Sequence, residues 1–181
     1  MVRKFFAVAS LGLSLSFVMA AYGQTAVPSD SVTVQMGNMG PAPAPNGHLQ
    51  VQYNVNAQGV DQSQDSFIRF NLSSLPAGLT PANIQSASLT LFVDAGGSPG
   101  TVTVCQSAGP PTTPLWSSST ITGTTAPSCS SVATTSFNVS STQLHNGSFI
   151  VVDVTPIVKD WVNGSPNNGI ELVATPRRRL R

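Results

Sequence analysis

Ser66-Phe67-Ile68-Arg69-Phe70-Asn71-Leu72 decides the fold class. In an extended chain successive side chains point to opposite faces, so Ile68, Phe70 and Leu72 share one side and Phe67, Arg69 and Asn71 the other. Arg69 thereby faces away from an Ile-Phe-Leu core. The same period of two recurs on either side of this stretch. It is present at Val32, Val34 and Met36, at Leu49, Val51, Tyr53 and Val55, and at Ala87, Leu89, Leu91 and Val93. Shorter copies occur at Val102 and Val104 and at Phe137 and Val139. Turn formers separate these runs: Gly37 to Gly47 holds three prolines, Ser73 to Gly78 contains Pro76, and Gly96-Gly97 closes another run. Phe149 to Val154 is apolar but for Asp153, which predicts a strand covered on both faces. Thr155 as N-cap, Pro156 in the first turn and a stripe of Ile157, Val158, Trp161 and Val162 predict one short helix, stopped at Asn163-Gly164. Ile170 to Val173 reads as a last strand, and Gln106 to Ser131, rich in Pro, Ser and Thr, as a long loop. Seven to nine short strands with one helical turn make an all-β protein, a jelly-roll-like β-sandwich.

Composition agrees. The 181 residues are only 8% charged, against about 25% in an average domain, while 24 Ser and 17 Thr carry the polarity. A disordered polyelectrolyte and a helical bundle are both excluded on that ground. With 2 His, 2 Cys and 7 acids, few side chains remain for catalytic or metal sites. Asp61 and Asp65 are the one pair of acids that invites comparison with glycoside hydrolases, but two acids four apart in a Gln/Ser-rich segment read as turn residues. No nucleophile-His set, phosphate loop or cofactor fingerprint is present, so the expectation is a protein that is not an enzyme and uses no cofactor.

The chain opens with Arg3-Lys4 and an apolar run from Phe5 to Ala21 that ends in Ala21-Tyr22-Gly23, the pattern of a secretory signal peptide over residues 1–23. The body, residues 24–176, would form one domain. It carries Arg69 and Lys159 against all seven acids, a net charge of −5. Residues 177–181, with four arginines, form a basic tail read as an atypical or truncated terminus; without a basic groove or aromatic platform, nucleic acid is not expected as a partner. No later run is long enough to span a membrane. Cys105 and Cys129, the only cysteines, predict one disulfide in an oxidising compartment, so the product is read as secreted, extracellular or at the cell surface.

Four further side chains are candidates for function or structure. Trp116, in the polar loop, offers a ring face for a sugar or an anchor for local packing. Arg69 can pair with a uronate carboxylate or with one of the chain's own acids. Trp161 lies on the helical stripe and reads as core. Asp153, in an apolar run, is expected to be buried and to hydrogen-bond the backbone near Thr155 and Pro156; ligation of a structural calcium ion is the alternative.

Three blocks in this order resemble the DNRLRE domain family: Ser66 to Gly78, Ile84 to Val93, and Val152 to Val158 with Trp161 and Gly164. Those are exported bacterial and archaeal modules grouped with carbohydrate-binding modules that include alginate binders. The likeness runs from about Asp30 to Val173. Family members continue beyond the strand matching Ile170 to Val173 into a closing strand, and carry a Trp-x-Glu-x-Thr-x-x-Trp pattern where this chain has Trp116-Ser117-Ser118-Ser119. The resemblance implies a secreted, non-catalytic carbohydrate-binding domain that takes acidic polysaccharide or a cell-surface component. The alternative is a structural or adhesive module of a surface fibre that binds no sugar.

Overall fold

The computed structural model describes residues 23–37, 48–93, 98–108 and 116–175, without the side chains of 132 and 133. The expected signal peptide (apart from Gly23), most of the Gly37–Gly47 loop, the Gly96-Gly97 turn and the basic tail lie outside these residues. Seven strands are described: β1 (Val27–Gln35), β2 (Gln64–Asn71), β3 (Ser88–Val93), β4 (Gly100–Ala108), β5 (Ser128–Val139), β6 (Ser148–Asp153) and β7 (Ile170–Thr175). They form an antiparallel five-stranded sheet in the order β1-β2-β7-β4-β5 and a two-stranded sheet of β3 and β6. The all-β sandwich expected from the sequence is the observed architecture. The last strand in sequence is central in its sheet, between β2 and β4.

The larger sheet is dry on two faces. Ile68 of β2, Val104 of β4, and Ile170 and Leu172 of β7 meet Ile150 and Val152 of β6 in the interlayer core, which Ile157 and Trp161 extend. On the opposite face Val32 and Val34 of β1 and Phe67 of β2 pack with Ile121, Trp116 and Ala126 from the β4–β5 connection. Phe67, on the side that alternation assigned away from the core, is wholly buried. The long loop is narrower than Gln106 to Ser131, because β4 runs on to Ala108 and β5 begins at Ser128.

Two expectations about the strands need correction. Phe149 and Val151 are 71% and 67% exposed, so β6 is covered on one face only. A two-stranded sheet with no described element stacked outside it has only one dry side. Leu49 to Val55 is no regular strand; it meets the sheet at the isolated bridge Gln52 to Gln64, and a second bridge, Val55 to Asp61, closes the turn that leads into β2. Side chains replace the missing ladder there. The Gln50 N–H donates to Thr33 Oγ1 at 2.8 Å and the Ser66 hydroxyl donates to the Gln50 carbonyl at 2.7 Å.

Helical structure is also richer than one turn. α1 (Ser141–Asn146) and a 3₁₀ turn at Pro81–Asn83 join α2 (Thr155–Val162). α2 starts one residue before the expected first turn, so Val154 is the N-cap; the Thr155 hydroxyl accepts the Ala87 N–H at 2.8 Å instead of capping. Gly169, entering β7, has φ +86°, and a Cβ there would overlap the Ile68 carbonyl. Only glycine lets the chain pass that close to β2.

Candidate functional site

Arg69 and Trp116, 47 positions apart, meet on the β1–β2 corner. In the β1–β2 register Asp30 lies opposite Arg69, and a bulge between Pro28 and Asp30 makes Ser29 the extra residue. The Arg69 guanidinium donates from Nη1 to the Trp116 carbonyl at 2.7 Å, and its Cζ lies 5.5 Å from the indole centroid. Nη2 is 3.9 Å from Asp30 Oδ2, an oxygen that also accepts the Ser118 N–H at 2.9 Å. Trp116 in turn donates Nε1–H to the Asn168 carbonyl at 2.8 Å and sets its ring edge-on to Phe67, with centroids 5.8 Å apart. Trp116 is therefore half-buried and its only polar atom is engaged. Its position is that of a packing anchor for the loop, with Arg69 pinned beneath it.

Arg69 keeps one open side. With Ser29, Phe70, Asn71, Leu72, Pro166 and Asn167 it lines a shallow cleft of about 550 Å³. The Asn167 amide is fixed there, donating to the Phe70 carbonyl at 2.9 Å and accepting the Gly169 N–H at 3.2 Å. The lining thus brings together one arginine, two amides, a hydroxyl and the apolar flanks of Phe70 and Pro166; the Ser29 hydroxyl donates to the Arg69 carbonyl at 3.2 Å and Asn71 Oδ1 accepts the Ser73 N–H at 2.9 Å. Sequence reasoning found Arg69 but missed Ser29, Asn71 and Asn167, since the bulge and the turn before β7 bring them together without a local pattern.

A family model described as carbohydrate-binding module family 96 matches residues 24–178. The chain belongs to carbohydrate-binding module family 96. A search of curated proteins finds no match.

The remaining candidates in this family 96 module lie away from the cleft. Trp161 is buried, with its ring tilted against Phe70 at 6.4 Å. Cys105 and Cys129 form the expected disulfide. Together with Glu171 they are the one close group of three metal-type side chains among the described residues, but both sulfurs are spent in the bond and no thiolate remains to ligate. Asp65 is wholly buried whereas Asp61 is half-buried and accepts the Ser63 N–H at 2.9 Å, so the two present no carboxylate pair to solvent.

Asp153 is exposed rather than buried, because it sits on the open face of β6. Its Oδ1 accepts the Thr155 N–H at 2.9 Å at the start of α2, the backbone bond expected of it. Hydrogen bonds from the Thr155 side chain and backbone, with a smaller contribution from the Lys159 charge, hold its carboxyl below the usual range. No helix among the described residues is long and apolar enough to cross a membrane.

Proposed function

We propose that this family 96 module is an exported, non-catalytic domain that holds acidic polysaccharide in the Arg69 cleft. The observation that carries the reading is the state of Arg69. It is 23% exposed, it opens on the cleft, and its contact to Asp30 is long at 3.9 Å. A uronate carboxylate can take a shorter, bidentate bond from the same guanidinium, while Trp116 holds the group in place from behind. The flanks of Phe70 and Pro166 suit the CH face of a sugar ring, and Ser29, Asn71 and Asn167 suit its hydroxyls. Export is supported by the signal-like N-terminus in the sequence and by the disulfide.

One guanidinium on a body of net negative charge predicts weak binding that salt weakens further. Titration calorimetry of the whole chain with alginate and polygalacturonate oligomers tests this. Arg69→Ala should weaken binding at least tenfold and Arg69→Lys several-fold, because a point charge lacks the fork. Equal affinity in wild type and Arg69→Ala would overturn the cleft as the site. Release of reducing ends from either polymer would overturn the non-catalytic part.

A further inference from the structure

The outer face of the β3–β6 sheet carries three cross-strand rows. Ser88 pairs with Asp153, Thr90 with Val151, and Phe92 with Phe149. All six side chains are exposed, with Phe92 at 57% and Phe149 at 71%. The two rings pack on each other, their centroids 4.9 Å apart and their planes at 55°. Gly147, at φ +68°, runs under Phe92 so closely that a Cβ would lie 2.9 Å from the ring's Cζ. The aromatic pair is therefore seated by its surroundings. Leaving each ring in water forgoes on the order of 1.5–3 kcal/mol of burial, so a ligand that covers the pair recovers part of it.

Size and chemistry select the occupant. Two six-residue strands, each about 20 Å long, present on the order of 200 Å². A stable protein interface needs about 800 Å² from each partner, so this face is too small to hold a second copy by itself. A saccharide needs far less area. It also needs what the rows supply, an aromatic surface for CH groups beside hydroxyls and a carboxylate that pair with sugar hydroxyls. Among the six side chains the one charge is the Asp153 carboxylate, which accepts hydrogen bonds from the hydroxyls of a neutral ligand; Lys159 lies close enough to act on it from α2.

We propose that the outer face of β3 and β6 is a second saccharide-binding surface, which takes an uncharged polysaccharide with ring faces on Phe92 and Phe149 and hydroxyls on Thr90, Ser88 and Asp153. This rests on the module's being a sugar binder and is independent of the Arg69 cleft. Two surfaces on one small domain let a wall of mixed neutral and acidic chains engage it twice, which raises avidity without any new contact at either site.

Affinity electrophoresis of the whole chain in gels containing mixed-linkage β-glucan, galactomannan or arabinoxylan tests it. At least one of these should retard the wild type, and Phe92→Ala and Phe149→Ala should each cut that retardation at least tenfold. Val151→Thr, a milder change on the same face, should cut it several-fold, and circular dichroism confirms that each variant is folded. Retardation should persist in the presence of saturating polygalacturonate. Displacement by polygalacturonate, absence of retardation in all three gels, or unchanged retardation in both Phe variants would each overturn the proposal. A wild-type dimer in sedimentation that Phe149→Ala dissociates, with no glycan retarded, would assign the face to a protein contact instead. If neutral glycan binds while uronate does not, the cleft reading fails and this one stands.

Discussion

Trp161 shows what one side chain contributes to the interlayer core. It is the largest residue on the buried stripe of α2, and no acceptor among the described residues meets its indole N–H. Trp161→Ala should cost about 3–5 kcal/mol in urea unfolding. Trp161→Phe should cost well under half of that, because it also removes a buried donor that makes no hydrogen bond. Asp153 works through charge at the start of the same helix. Its folded pKa is depressed, so its contribution is fully present above the unfolded value, 3.8, and is lost as pH falls through the lower folded value. Asp153→Asn keeps an acceptor and loses the charge; its thermal midpoint should fall below wild type at neutral pH and converge with it in strong acid. At this scale the helical period made Trp161 legible in the sequence. The Arg69–Trp116 contact was not, since it depends on a loop folding back over the sheet, and nothing near either residue encodes that return.

Elements were legible wherever a strand buries one face against the larger sheet. β3 follows its alternation, and Phe92 falls out of phase with Leu89, Leu91 and Val93, the signal that could have placed it outside; β2 does not, because the β4–β5 connection covers its second face and buries Phe67 as well as Ile68. The run from Phe149 to Val154 misled because an apolar outer face on a two-stranded sheet looks, in sequence, like a second buried one. α1 was missed although Ser140 and Gln143 form a capping box, in which the Ser140 N–H donates to Gln143 Oε1 at 2.8 Å. It lies at the surface without an apolar stripe, so periodicity had nothing to detect. The β4–β5 connection carries the second, smaller core, and the disulfide ties its two ends with a sequence separation of 24. Reduction should lower stability by about 3 kcal/mol, measured as the shift of the urea midpoint with and without dithiothreitol. Loss of the Phe67–Trp116 contact should accompany it, read as a change in tryptophan fluorescence before global unfolding.

For the whole molecule, the two-layer all-β architecture followed from period and turns, but the strand order did not, because pairing joins residues far apart that share no local mark. β1 and β2 pair with each other, but only β7, which lies between β2 and β4, joins that pair to the rest of the sheet. A chain ending before Ile170 should therefore give no cooperative thermal transition, whereas removal of residues 177–181 should leave the midpoint within a few degrees; differential scanning calorimetry distinguishes the two. The interior place of β7 also has a kinetic side. Long-range pairing of this kind closes slowly, and here it cannot close until β7, which follows every other described strand in the chain, is available. A polypeptide built that way stays pliable until β7 is available, so the two halves of the larger sheet depend on one late arrival to close as a single unit.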